Sequence, residues 1–481
     1  CDAWGFEFCF ALSVSGGCLL KYDVVIVGAG PAGIFSALEL VENTSLNVLI
    51  LDKGADINKR KCPASRGFGC LNCEPCNVLH GWGGAGAFSD GKLTLRAQGV
   101  GGWLDKYVNE EELQGLVDYV DGVYTRFGAP NNVYGEDLDR IEEIGRKASL
   151  AGLKLVPQKI RHMGTEKCAE TLRQMRSFLD GKAKVQTRSE VKGLIVGDGC
   201  IEGVETVGGD KILAKYVVVA PGRSGAEWLK SEAQALGLKT LNNPVDVGVR
   251  VEVQAAVLEE LTEVLYEPKL FYYSRFFDDV VRTFCVAPYG EVITESYDGV
   301  LTVNGQSYME RKTRNTNFAI LVSTSFTEPF KEPIAYGKYI ARLTNLLSGG
   351  VVVQRLGDLE AGRRSTEERI GRSTVVPTLR SATPGDLSFV LPYRYLVDVR
   401  EMLGALDRLA PGLASRDTLL YGVEVKFYSS RLALNECLET PIKNLFTIGD
   451  GAGLTRGLVQ ASVSGVIAAR QIVKREKHHK T

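Results

Sequence analysis

Apolar and polar positions along the chain fall into two patterns. Short apolar runs predict strands: Tyr22 to Val27 in "KYDVVIVGAGPAG", the run "KILAKYVVVAPG" at 211–222 and the run "NLFTIGDG" at 444–451, all closed by glycine, and Asn47 to Leu51 in "NVLIL", closed by Asp52. At 245–253, "VDVGVRVEV", five valines occupy every second position, which predicts a half-buried strand of an antiparallel sheet. "VRTFCVA" and "NFAILVS" are similar runs, and residues 184–206 read as a strand series with turn glycines. Helical spacing covers Glu111 to Phe127, Glu166 to Asp180 and Pro333 to Leu347, closed by Gly128, by Gly181, and by Ser348 with two glycines.

The first strand leads into a turn and an amphipathic segment, "IFSALELVEN", so the order is strand, tight turn, helix. Gly28 permits the turn, Gly30 lets a pyrophosphate approach the backbone, and Gly33 allows the helix to pack on the strand, with Pro31 and Ala32 completing the loop at the helix N-terminus. The second strand ends at Asp52, nineteen residues past Gly33, where an acid can accept from ribose hydroxyls, and Lys53 follows it. This is the context that a dinucleotide fingerprint requires.

Composition narrows the picture further. A chain of 481 residues with 44% hydrophobic content can bury more than one core. A net charge of -1 and the lack of long basic runs give no footprint for nucleic acid or an anionic membrane, and no apolar stretch approaches the roughly 18–20 residues that span a bilayer. Residues 1–20 lack the basic start and small-residue cleavage pattern of a secretory signal and read as an extension. The eleven cysteines then point to a reducing, cytoplasmic setting.

A distant segment, "NLFTIGDGAGLTRGLVQASVSGVIAAR", resembles the C-terminal flavin motif of glutathione-reductase-type FAD proteins, and "KILAKYVVVAPGRSG" is similar to the strand and turn by which that fold closes over FAD. Together with "WGGAGAFSDGKL", "VDVGVRVE", "VRTFCVAPYGEV" and "NTNFAILV", these segments resemble the uncharacterised FAD-dependent dehydrogenase family, distantly similar to geranylgeranyl-reductase-type flavoproteins, from Lys21 onward. The resemblance implies an α/β fold, a glutathione-reductase-type FAD-binding (Rossmann-like) domain carrying an inserted α+β substrate domain built on an antiparallel sheet. It implies FAD held by Gly222 at the closing turn, by Gly449 and Asp450 at the ribityl chain, by Gly457 and Leu458 at the last helix, and by main chain near Val191 at the adenine. Gly83, Gly84, Ser89 and Asp90 supply small or polar residues where the flavin ring lies against backbone.

The expected organisation is an extension at 1–20, FAD-domain parts at 21–105, 161–235 and 421–481, a helical insertion at 106–160, and a substrate domain at 236–420. No second fingerprint occurs between 236 and 420, so no dedicated nicotinamide domain is expected. In "VRTFC", Arg282 and Cys285 are catalytic candidates, although in an unbent strand they face opposite sides. Arg250 and Arg282 can hold an anionic substrate or form structural ion pairs. The four thiols Cys62, Cys70, Cys73 and Cys76, spaced C-x7-C-x2-C-x2-C, suit an iron–sulfur cluster, a zinc ion or no metal at all. The function expected is flavin-mediated hydride or electron transfer to a small organic substrate, with a ferredoxin-like donor and neither nucleic acid nor membrane as partner. An FAD monooxygenase and a non-catalytic flavin-binding protein with structural zinc are the alternatives.

Overall fold

A computed structural model describes residues 20–478 apart from 64–70, 72, 99–101, 242, 298, 309–310, 327–328 and 331. Four strands, Lys184–Thr187, Val48–Asp52, Leu20–Val27 and Lys211–Val219, lie side by side and parallel in that order, and Leu445–Thr447 pairs in parallel with the last. A hairpin of Val191–Gly197 and Cys200–Thr206 completes this seven-stranded sheet. The strand cores are continuous apolar runs because both faces are covered. Helix Pro31–Asn43 packs with helix Leu458–His478 on one face. This is the glutathione-reductase-type layer that the sequence implies, assembled from segments more than four hundred residues apart.

The inserted sheet has eight strands, antiparallel except for the two-residue edge strand Thr383–Pro384. Its centre is Val245–Gln254, flanked by Asn315–Thr324 and Leu419–Lys426. The five valines of the alternating stretch point into the second apolar core, as expected. The other face corrects the expectation of a half-buried strand: Asp246, Gly248, Arg250 and Glu252 are buried as well.

Two boundaries also move. Leu419–Lys426 belongs to the inserted sheet, so the limit expected at 420/421 cuts through a strand. The expected helical insertion at 106–160 divides between the layers. Helix Glu110–Arg126 contributes Leu113, Val117 and Val120 to the first core, whereas helix Leu138–Leu150 contributes Ile141, Ile144 and Ala148 to the second. Strand Lys154–Val156 then joins the edge of the inserted sheet through Lys269–Tyr273. Helix Leu138–Leu150 falls within the expected helical insertion, whereas helix Tyr393–Leu409 lies outside the sequence expectation. Among the described residues no helix is long and apolar enough to cross a membrane.

Candidate functional site

Three glycine turns meet at the ends of adjacent parallel strands. Gly28 has φ +107° and lies so close to Ala220 that a β-carbon would fall 2.1 Å from its carbonyl oxygen. A β-carbon on Gly33 would fall 2.0 Å from the carbonyl oxygen of Gly28, so helix and strand touch through bare backbone. Gly449 abuts Ala32, and a β-carbon on Gly451 would strike the backbone of Gly222. Helix Pro31–Asn43 starts at Gly30 with no side-chain cap and proline in its first turn, so its N-terminus faces the turns without an internal partner.

The segment 81–91 closes over these turns. Gly83 donates its N–H to the carbonyl of Ala29 (2.7 Å), Gly84 lies against Gly30, and Gly86 sits between Pro31 and Leu458, where a methyl would come within 2.7 Å of the Leu458 side chain. Trp82 anchors the segment, wholly buried with its indole N–H donated to the carbonyl of Leu172 (2.8 Å). Ser89 folds into the local turn, donating to the carbonyl of Gly86 and accepting from the N–H of Gly91. Asp90 pairs with Lys92 at 3.0 Å.

Asp52 organises the opposite end. Its carboxylate accepts from the backbone N–H groups of Ala29 (2.9 Å), Gly54 (2.8 Å) and Gly81 (2.8 Å), locking the first turn, the strand exit and the closing segment together. A carboxylate has about four acceptor positions, which leaves room for a hydroxyl donor. Ser189 donates its N–H to the carbonyl of Asp52, and Lys53 pairs with Glu190 at 3.4 Å, bringing the stretch before Val191 alongside. A cavity of about 740 Å³ opens here, lined in part by Lys53, Gly54, Gln186, Arg188, Ser189 and Glu190.

Asp450 lies at the other end, where Thr455 donates its hydroxyl to the carboxylate at 2.7 Å and Arg223 stands 3.9 Å away. Burial pushes its carboxyl above the ordinary range, against the pull of Arg223. The buried polar face of the inserted sheet lies across from it. Directly opposed strand residues share a face, so the pairings Asp246 with Ser323 and Lys426, Arg250 with Ala319, Leu321 with Arg282, and Arg282 with Phe271 place Asp246, Arg250, Arg282, Lys426 and, two residues before Phe271, Lys269 on one surface.

Arg282 donates to the Asp246 carboxylate and to the Tyr428 hydroxyl, the latter at 3.2 Å. Arg250 is wholly enclosed, donating to Asn317 (2.8 Å) and the carbonyl of Cys285 (2.6 Å), with Glu424 at 3.4 Å. These are the structural pairs of the two expected roles. Cys285 is re-aimed by a bulge between Phe284 and Ala287 and takes φ +46°, so the opposite-face geometry of an unbent strand does not apply. Its thiol lies 3.7 Å from the Lys92 ammonium, and burial pushes it up although Lys92 and Arg250 pull it down. A raised thiol is a poor nucleophile.

Lys92 spans the layers, pairing with Glu267 at 2.9 Å as well as Asp90 and donating to the carbonyl of Val286 at 2.5 Å. Burial pulls its ammonium down, but Asp90, Cys285 and Glu267 outweigh it and hold it well above the ordinary lysine range. Beside it His162 stacks on Tyr266, ring centroids 4.5 Å apart, and burial lowers its imidazole to about 4. Lys92, Asp246, Glu267, Lys269, Tyr428 and Arg456 were not among the expected site residues. The signal for Asp246 was present in the non-valine positions of "VDVGVRVEV", where charge alternates with valine.

Three of the four expected cysteine ligands, Cys62, Cys73 and Cys76, lie among the described residues. Cys70 lies outside the described residues. Asn77 donates its side chain to the carbonyl of Lys61 (3.2 Å), joining the two ends of the loop next to Cys62 and Cys76, while Cys73 is exposed and lines the cavity at the Asp52 end. Among the described residues no three His, Cys, Asp or Glu side chains are grouped to hold a metal. Cys73 borders the Asp52 end rather than the segment 83–90.

A parallel sheet gathering three glycine turns at its strand ends, joined to a sheet with a buried charged face, defines a two-domain protein of the dinucleotide-binding class. Residues 244–427 match the family described as FAD-dependent protein, C-terminal domain-like, a span that holds seven of the eight strands of the inserted sheet. The chain is 29% identical over 485 aligned residues to an uncharacterized protein of Clostridium beijerinckii, covering 95% of this chain and 81% of that one. A stretch of 60 residues is 42% identical to the mitochondrial electron transfer flavoprotein-ubiquinone oxidoreductase of Oryza sativa subsp. japonica, covering 11% of this chain and 10% of that protein. Among solved structures, a geranylgeranyl bacteriochlorophyll reductase-like protein from Thermoplasma acidophilum is similar with 12% identity, a TM-score of 0.44, and coverage of 96% of this chain and 80% of that one.

Proposed function

We propose that the chain is an FAD-dependent oxidoreductase of the dehydrogenase or reductase kind, acting on a small organic substrate held against the charged face of the inserted sheet. The observation that carries this reading is the convergence of three glycine turns, distant in sequence, on the ends of adjacent parallel strands. Gly28, Gly30, Pro31, Ala32 and Gly33 would hold the pyrophosphate. Asp52, Lys53 and the main chain near Val191 would hold the adenosine, beside the 740 Å³ cavity. Gly222, Gly449, Asp450, Gly457 and Leu458 would hold the ribityl end, and Gly83, Gly84, Ser89 and Asp90 the ring. FAD, when bound, supplies hydride and electron transfer that no side chain provides. The chain's own part is to exclude water with Trp82 and the closing segment, and to orient the substrate with fixed charge from Lys92, Arg282 and Arg456.

Replacing Asp450 with alanine tests the placement. Loss of a charged acceptor costs about 1.5–3 kcal/mol, on the order of tenfold to a hundredfold in affinity. Asp450→Ala is expected to purify folded with most of its flavin absorbance gone. A full flavin complement in that variant would overturn the assignment.

With no second fingerprint in the substrate segment, a ferredoxin-like donor in a cytoplasmic setting is the fitting electron source in this reading, and NADH or NADPH should bleach the flavin slowly. An iron–sulfur or zinc site rests on the cysteine spacing alone, so no step is drawn through it. Iron, sulfide and zinc analysis of protein purified without oxygen tests it: stoichiometric metal that disappears in Cys73→Ser would put a site there.

A further inference from the structure

The carboxylates at the two ends of the glycine turns are held in different ways. Asp52 accepts three backbone N–H groups. Asp450 accepts the Thr455 hydroxyl at 2.7 Å and the backbone N–H of Gly457, which leaves open about two of the four acceptor positions of a carboxylate. Arg223 Nε lies 3.9 Å from it, beyond hydrogen-bond reach, so the guanidinium lends charge and fills none of those positions. Backbone fixes the spacing. A β-carbon on Gly451 would fall 2.3 Å from the carbonyl oxygen of Gly222, so the turn carrying Asp450 and the turn carrying Arg223 touch. Burial pushes the Asp450 carboxyl up, and Arg223, Thr455, Arg456 and the Gly457 N–H oppose it. Arg223 also meets the inserted layer. Burial pulls its guanidinium down, but Glu295 and then Asp450, Tyr297 and Tyr428 hold it above the ordinary arginine range. Glu295 belongs to the hairpin Glu291–Tyr297/Val300–Gln306, where Asn304 donates to it at 3.1 Å and Lys426 stands at 3.7 Å. One guanidinium is thus shared between a carboxylate of each layer.

We infer that Arg223 is a positioning residue for the ribityl end of the cofactor: it supplies the charge that favours a carboxylate at Asp450 while leaving that carboxylate's oxygens free for hydroxyls, and Glu295 competes for it from the inserted sheet. The part played toward FAD rests on the flavoenzyme reading; the effect of Arg223 and Glu295 on the Asp450 proton does not. A buried carboxyl with no cation beside it takes up a proton more readily, and the protonated oxygen becomes a donor where an acceptor is needed. Asp450 ionises as pH rises, so flavin is held above the pH at which the carboxyl loses its proton and released below it. Removing the Arg223 charge moves that release to higher pH. Removing the Glu295 charge leaves Arg223 to Asp450 alone and moves it to lower pH.

The test follows flavin released from the purified full chain by its fluorescence as pH is lowered from neutrality, with circular dichroism recorded alongside to mark any unfolding. Arg223→Met is expected to release flavin about one pH unit above the unaltered protein, the low end of the effect of an adjacent arginine because this side chain is 45% exposed. Arg223→Lys, which keeps the charge, should stay close to the unaltered profile, and Glu295→Gln should release at lower pH. A packing role alone would weaken flavin equally at every pH and would not give shifts of opposite sign. In the full chain stripped of flavin, NMR of isotope-labelled aspartate carboxyls supplies a second readout: the resonance missing from Asp450→Asn should titrate at higher pH in Arg223→Met and at lower pH in Glu295→Gln. Loss of flavin in folded Arg223→Met that is equal at every pH, or an Asp450 resonance that ignores both changes, would overturn the inference. Protein that holds flavin with unshifted profiles refutes this role alone; protein that takes up no flavin at any pH, yet whose Asp450 resonance follows Arg223, supports the proton effect and refutes the flavoenzyme reading.

Discussion

A methyl group added at Gly33 or at Gly457 meets opposite surroundings, although both residues lie in turns expected at the cofactor. At Gly33 it would fall 2.0 Å from a backbone oxygen, which cannot move without parting helix from strand. At Gly457, φ +91°, it meets nothing within 4 Å, and only the left-handed conformation resists it, at about 1–2 kcal/mol. Gly33→Ala is therefore expected to lose both flavin and most of its thermal stability, and Gly457→Ala to lose a few degrees of melting temperature. The reverse order would refute the packing argument at Gly33. A second expectation concerns acid. Burial lowers His162 to about 4 from an ordinary 6.5, so between those values the unfolded chain binds a proton that the folded chain refuses. Stability from this group is full above pH 6.5 and is lost as pH falls toward 4. His80, lowered to about 4 chiefly by burial, adds a slope of the same sign. His162→Phe should flatten the fall of melting temperature across that window by roughly half; an unchanged slope would show that the imidazole does not titrate with folding.

The central strand Val245–Gln254 shows how one element carries two jobs. Its valines build the second core and its alternate positions carry the charge that faces the site. That arrangement is costly unless each charge is paired across strands, as Arg250 is with Glu424 and Asn317. Removing one member of such a pair costs about 3–5 kcal/mol because the other is stranded. Arg250→Met should lower the denaturant midpoint accordingly, and adding Glu424→Gln should recover part of the loss, although Lys426 at 3.0 Å from Glu424 keeps recovery incomplete. Strictly additive losses would deny the coupling. The hairpin Glu291–Tyr297/Val300–Gln306 helps to close this face, with Gly305 bare against the Arg250 guanidinium. A side chain there has no room, so Gly305→Val is expected to destabilise as strongly as loss of Arg250.

At the scale of the whole molecule, the inserted sheet is not self-contained within the family segment 244–427. Strand Lys154–Val156 covers the edge strand Lys269–Tyr273, and helix Leu138–Leu150 covers part of the second core. Residues 244–427 expressed alone should expose that apolar surface, bind a hydrophobic dye and unfold without a cooperative transition, whereas a chain starting before residue 137 retains both elements. A cooperative, dye-free 244–427 fragment would show that the added elements are dispensable.

How much was legible follows from the range of the interactions involved. The turns at Gly28, Gly222 and Gly449, the strands around them and the alternation at 245–253 were readable because they answer local demands: a left-handed φ, a period of two, an apolar run closed by glycine. Resemblance to known FAD proteins, rather than these local signals, marked the flavin-type motifs before any contact between them was known. They could not tell that the polar side of "VDVGVRVEV" is buried, because burial depends on what another segment lays over it. Nor could they tell that a bulge turns Cys285 toward Lys92, that Arg282 is already taken by Asp246, or that Cys73 borders the Asp52 end. Pairing of buried charge is set by distances across strands and layers, where each ion's cost depends on its partner's position. The chain's own order thus determined the layer that fits a dinucleotide, and only the tertiary structure decided which buried charges pair with one another.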